Sequence, residues 1–148
     1  MIRIIQIFIL LQLTYSVAAY SNLVETVKLI KPSVVGIGVY TPTGQPKNRL
    51  YGSGFVIGNG TYIVTNHHVI DKELDDSLLQ KLAIFSGKGT ETKVRIASLI
   101  ANDKEHDIAI LKIDGQPLPA MQLSNNDFRL EGSDVAFTGF PIGDVLGL

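Results

Sequence analysis

Gly52-Ser53-Gly54-Phe55-Val56-Ile57-Gly58-Asn59-Gly60-Thr61-Tyr62-Ile63-Val64-Thr65-Asn66-His67-His68-Val69-Ile70 is the stretch on which the fold turns. Two short β-branched and aromatic runs, residues 55–57 and 62–65, flank Gly58-Asn59-Gly60. Asn-Gly between such runs is the strongest short hairpin signal, because a tight turn needs positive φ at both positions. The stretch therefore predicts a β-hairpin, with His68 at the end of its second strand. Asn59-Gly60-Thr61 also matches an N-glycosylation pattern, but in a tight hairpin the turn accounts for these residues.

The same alternation of short runs and turns extends both ways from the hairpin. Upstream, Leu23, Val27 and Ile30 share one face of a short amphipathic helix, with Ser21 or Asn22 as its cap and Pro32 as its stop. Residues 33–40 are β-branched and too short for a helix, so they read as a strand, and residues 41–48 read as a loop. Downstream, residues 71–80 are acidic, with Leu74, Leu78, Leu79 and Leu82 at helical spacing, and suggest a short surface helix or loop. Residues 82–85 and 94–100 read as strands, with a turn at 87–89. Asp107 opens a further strand, residues 107–113, whose apolar run predicts a buried carboxylate at its head. Asp114-Gly115 closes it, Pro117 and Pro119 mark an extended connector, and residues 134–140 begin another strand. Many short strands with frequent turns indicate an all-β barrel or sandwich.

Composition narrows the function classes. The chain has 148 residues, a formal net charge of -1 and 45% hydrophobic residues. That length suits one domain, or part of a larger all-β domain, which often runs to roughly 200 residues. Without a concentrated basic face there is no electrostatic case for nucleic acid. The chain has no cysteine, which excludes disulfides, thiolate metal sites and cysteine nucleophiles together. The first nineteen residues carry a basic start at Arg3, an apolar run over residues 4–13, and small residues at Val17-Ala18-Ala19. They read as a signal peptide cleaved before Tyr20. The apolar run is short of the ~20 residues a membrane span needs, so no stable membrane insertion is expected after cleavage.

The chemistry-bearing candidates are His67, His68, His106 and Asp107. A buried carboxylate needs a hydrogen-bond partner. A histidine N–H is a natural one, and the pairing makes that ring a better base and fixes its tautomer. Ser53 and Ser133 lie in Gly-Ser-Gly and Gly-Ser-Asp. Neither has the Gly-x-Ser-x-Gly form of a nucleophile elbow, so both are read as structural.

Gly52-Ser53-Gly54-Phe55-Val56-Ile57, residues 62–70, and Asp107-Ile108-Ala109-Ile110-Leu111-Lys112-Ile113 resemble, in that order, the HtrA/Deg branch of trypsin-like serine proteases. The resemblance continues through Leu118-Pro119-Ala120, Gly132-Ser133-Asp134-Val135 and Gly139-Phe140-Pro141-Ile142-Gly143. It implies a chymotrypsin-like double β-barrel, with the first barrel over residues 33–115 and a truncated second barrel beginning in 116–148. Residues 1–19 are then the signal and 20–32 an N-terminal helical segment. The resemblance makes His68 the general base and Asp107 its orienting carboxylate. It leaves His67 at a variable rim position and His106 in a loop. The family's nucleophile follows later, in a Gly-x-Ser-Gly-Gly segment that these 148 residues do not contain. The absence of cysteine suits this branch better than disulfide-stapled animal trypsins.

The implied function is serine endopeptidase action on polypeptides in the periplasm or outside the cell, with no metal or organic cofactor. This chain alone is expected to be inactive, and the resemblance allows an oligomer. The alternative is a protease-like domain without a nucleophile that binds extended peptides by strand addition. A metal site from His67, His68, His106 and Asp107 is disfavoured, because neighbouring residues on a strand face opposite sides.

Overall fold

The computed structural model describes residues 23–87, 91–124, 131–133 and 135–140. The signal segment, the expected helix caps Ser21 and Asn22, residues 88–90 with most of the turn expected at 87–89, residues 125–130, Asp134 and the chain from Pro141 onward lie outside the described residues. The chain divides into two units, Met1–Lys31 and Pro32–Leu148. In the first, residues 23–30 form helix α1. It carries an exposed Glu25–Lys28 ion pair of 2.9 Å one turn apart. Its α-helical hydrogen bonding gives way to a 3-10 turn at Lys31–Ser33, because the ring of Pro32 disfavours α geometry in the residue before it.

The second unit contains six antiparallel strands: β1 (Val34–Tyr40), β2 (Asn48–Ile57), β3 (Tyr62–Thr65), β4 (Lys81–Ser86), β5 (Lys93–Asp103) and β6 (Ile108–Ile113). They close into a barrel in the order β1-β2-β3-β6-β5-β4, with β4 returning to β1. Of barrel and sandwich, the molecule is a barrel. No strand follows β6 among the described residues. Residues 135–140, expected to begin a strand, have no regular structure, and Val135 and Phe137 are 67% and 96% exposed. Among the described residues they join no ladder, and only Phe140 is partly covered, its ring lying near Gly36 of β1.

Alternation explains how the barrel fills. On β1, Val35, Ile37 and Val39 point inward and are fully or almost fully buried. Gly36 and Gly38 occupy the positions between them, and a methyl at Gly38 would sit on the Arg49 carbonyl oxygen. The lack of a side chain there lets β1 and β2 approach closely where their register shifts between Ile37 and Gly38. Val56, Ile63, Ile84, Ala97, Leu111 and Ile113 complete the interior from the other strands. Burying such aliphatic side chains is the main favourable term in the fold, worth about 1.5–3 kcal/mol for each large one.

The hairpin forms with a different turn from the expected one. Gly58 and Gly60 take positive φ, at 62° and 88°. Asn59 does not; its Oδ1 accepts from the Thr61 backbone N–H at 3.2 Å and the Thr61 hydroxyl at 2.6 Å. The loop is thus four residues long, with glycines at the left-handed positions and the asparagine side chain bracing it. The connector after β6 runs along this hairpin. Leu118 donates its backbone N–H to Gly60 O at 2.9 Å, and Met121 donates to Val56 O at 2.7 Å.

Candidate active site

β3 ends at Thr65, and the next residues coil into a single helical turn, α2 (His67–Ile70). His68 is therefore not on a strand. Thr65 closes the strand by donating its hydroxyl to Ser53 O on β2 at 2.8 Å. Val69 anchors the turn in the core at 6% exposure. It can do so because Gly52 faces it, where a Cβ would come within 2.7 Å of the Val69 side chain. The glycine of the Gly-Ser-Gly motif thus makes room for the turn that carries the histidines.

Asp107 precedes β6 with φ at 54°, a conformation that a non-glycine residue adopts at a cost and that recurs at functional sites. Its carboxylate clasps His68 at two points. Oδ2 lies 2.7 Å from the ring Nδ1, and Oδ1 accepts the His68 backbone N–H at 2.9 Å. Asn66 adds a third tie, donating its side-chain amide to the Asp107 carbonyl oxygen at 3.1 Å. A carboxylate only accepts, so the ring must carry its proton on Nδ1. Nε2 is then left with a free lone pair on a side chain that is 70% exposed. The backbone N–H of His68, then its ring, hold the Asp107 carboxyl below the usual carboxylate range against the opposing effect of desolvation. This arrangement can take up a proton at Nε2 while an ionised carboxylate steadies the imidazolium.

Two expectations about this site are corrected. The Asp107 side chain is 42% exposed, not buried, because it stands at the barrel rim before the first ladder pair of β6. His67 is not a rim residue but is buried, at 8% exposure. Its Nδ1 lies 3.3 Å from the Asn102 side-chain nitrogen on β5, and its Nε2 has no hydrogen-bond partner. His106 is in a turn, as expected, and is clasped by Asp103 in the manner of the first pair. Its Nδ1 lies 2.7 Å from Asp103 Oδ2, and its backbone N–H donates to Oδ1 at 3.0 Å. The adjacent histidines hold different partners on different elements. Among the described residues no three His, Cys, Asp or Glu side chains are grouped to hold a metal ion.

Ser53 plays a structural part. Its hydroxyl accepts the Phe140 backbone N–H at 2.7 Å and lies 3.3 Å from the Phe140 carbonyl oxygen, to which it donates. Ser133 follows Gly132, whose φ is 84°. Asn66 and Asn102 were not legible as site residues. Asn66 occupies the N-cap position of α2 yet makes no side-chain cap bond; its amide nitrogen donates to the Asp107 carbonyl oxygen. An asparagine placed to cap a turn of barely four residues is the signal that could have drawn attention to it.

The Asp103 and Asp107 carboxyls are both held low, in each case first by the backbone N–H of the clasped histidine. A depressed folded-state pKa stabilises the protein above the unfolded value, near 3.8, and that contribution is lost as pH falls through the folded value. Asp103→Asn is therefore expected to lower the melting temperature at neutral pH. The gap from the unmodified chain should narrow as pH falls below 3.8 and close once the pH has passed the depressed folded value. A gap that persists undiminished in acid would show that the Asp103 charge is not what holds the turn.

Comparison with known proteins agrees with this geometry. Residues 52–147 match the trypsin-like peptidase domain family. A probable periplasmic serine endoprotease, DegP-like, from Pseudomonas savastanoi pv. phaseolicola is 40% identical over 99 residues, 67% of this chain and 19% of that protein. The chain thus spans about a fifth of the length of the curated relatives it matches. Among solved structures, Deg5 shares 29% identity with a TM-score of 0.58, over 76% of this chain and 53% of that one. The serine endoprotease from Yersinia pestis shares 26% with a TM-score of 0.54, over 72% and 34%. The chain belongs to the trypsin-like peptidase family, in its HtrA/DegP-like branch.

Proposed function

We propose that this chain carries the proton-handling half of a serine endopeptidase, exported to the periplasm or the extracellular space. The observation that supports the reading is the two-point clasp of Asp107 on His68. It fixes the ring tautomer and leaves Nε2 as the free base. His68 Nε2 removes the proton from a serine hydroxyl as its oxygen bonds to a peptide carbonyl carbon. The imidazolium then gives that proton to the leaving amine as the C–N bond breaks, and water repeats the cycle to release the acyl group. Asp107 stays ionised and orients the ring throughout. No step calls for a metal or an organic cofactor.

The nucleophile is assigned to a Gly-x-Ser-Gly-Gly segment outside these 148 residues, following the family resemblance. The substrates are polypeptides, like those of an endoprotease. The periplasmic address in the names of the relatives agrees with residues 1–19 as an export signal. No helix among the described residues is long and apolar enough to cross a membrane.

A fluorophosphonate probe, which labels an activated serine, tests the reading. The longer protein read from the same gene is expected to be labelled, with labelling lost in His68→Ala. The 148-residue chain is expected to remain unlabelled. Labelling of the 148-residue chain would place the nucleophile within it. An unlabelled longer protein would favour the peptide-binding domain.

A further inference from the structure

His67 has no part in the proton transfer proposed above, yet it is the most enclosed of the three histidines. The residue is 8% exposed, beside a His68 side chain that is 70% exposed. A buried polar ring with an unpartnered nitrogen calls for an explanation. That nitrogen stays unpaired, but the other one ties the ring into the fold. The turn α2 with its N-cap residue is tied to the end of β5 and the β5–β6 connection by four contacts that involve side chains. Three run through Asp107: those from the Asn66 amide, the His68 backbone N–H and the His68 ring. The fourth, Asn102 to His67 at 3.3 Å, shares no residue with them.

The turn that carries His68 cannot hold its place unaided. It spans four residues and has no side-chain cap on its N-terminus, and so short a helix has almost no stability of its own. Its inner face is anchored at two side chains, Val69 in the core and His67 against β5. Asn102 presents an amide nitrogen, which only donates, so Nδ1 of His67 must accept and the ring proton must sit on Nε2. Nε2 is 3.8 Å from Asp71 Oδ2, too far for a hydrogen bond. The two neighbouring rings therefore hold opposite tautomers, with His67 protonated on Nε2 and His68 on Nδ1.

We propose that His67 is a positioning residue for the His68–Asp107 pair, its neutral imidazole accepting the Asn102 amide and so fixing the turn that aims His68. The inference rests on His68 being the general base. Its test reads geometry without needing a nucleophile.

Two-bond proton–nitrogen correlation spectra of the full chain, labelled with ¹⁵N at histidine, report which nitrogen of each ring carries the proton. The expected result is His67 protonated on Nε2 and His68 on Nδ1. A proton on His67 Nδ1 would overturn the inference in the unmodified chain, with no variant required. Two substitutions then separate positioning from filling. His67→Phe keeps the buried ring but offers no acceptor, whereas His67→Asn places an amide oxygen near the position of Nδ1. His67→Phe is expected to shift His68 towards a mixture of tautomers and His67→Asn to retain the Nδ1 form. In the active protease His67→Phe should lower kcat about five- to tenfold, the worth of one hydrogen bond, at unchanged KM. His67→Asn should recover most of that loss. An unchanged His68 tautomer in a folded His67→Phe would overturn the inference while leaving the protease reading intact. Failure of that reading would show instead as absent turnover and labelling beside the expected tautomers.

Discussion

Asp107→Asn in the full-length protease is expected to cut turnover by about four orders of magnitude with little change in the fold. The geometry dictates the direction. One carboxylate oxygen of Asp107 is already committed to the His68 backbone N–H at 2.9 Å. In the asparagine variant that acceptor must remain the oxygen, so the amide nitrogen is left facing the ring Nδ1. Two donors cannot face one another, so the ring moves its proton to Nε2. The base would then present N–H, not a lone pair, to the serine hydroxyl. Steady-state kinetics of the two proteins decide the matter, and a loss below tenfold would remove Asp107 from the mechanism.

The second large effect is on stability. Leu111 lies in the interior of β6 at 0% exposure, in register with Ile63 on β3. Leu111→Ala is expected to destabilise the barrel by about 3 kcal/mol, through lost burial and the cavity left behind. Lys112 is the next residue on the same strand and points outward. Its replacement by Ala should change stability by no more than about 0.5 kcal/mol. Chemical denaturation of both variants checks the contrast. A larger effect at Lys112 than at Leu111 would mean that the inside and outside of β6 have been exchanged.

The hairpin and the strands of the barrel were legible because they rest on local chemistry, whereas the pairing of His68 with Asp107, 39 residues apart, was legible only through the family resemblance. β-branched runs prefer a pleated backbone, and the motif order pointed to His68 and Asp107 as a pair. The surroundings of His67 were less so. Ile63, Thr65, His67 and Val69 are all buried while Asn66 and His68 are exposed. The inside–outside alternation of β3 thus carries on through α2, although the backbone coils. Followed two residues past Thr65, the alternation would have placed His67 inside. The partner that makes this burial tolerable, Asn102, is 35 residues away, and no periodicity links positions so far apart. The length of β5 was hidden for a similar reason. It runs to Asp103 through polar residues that satisfy no strand pattern, because pairing with β6 as far as Ile108 holds them.

Every strand of this barrel has two neighbours. Where β2 extends past the end of its ladder with β3, at Gly54, Val69 of α2 packs over Gly52. An extended guest peptide that looks for a vacant row of backbone donors and acceptors finds only partial ones, as where β2 overhangs β3 and β5 overhangs β4. Closure also guards the barrel against edge-to-edge association with its own copies. Docking of a polypeptide by added β-structure on this barrel is therefore confined to overhanging stretches such as those of β2 before Gly54 and of β5 after Ile96.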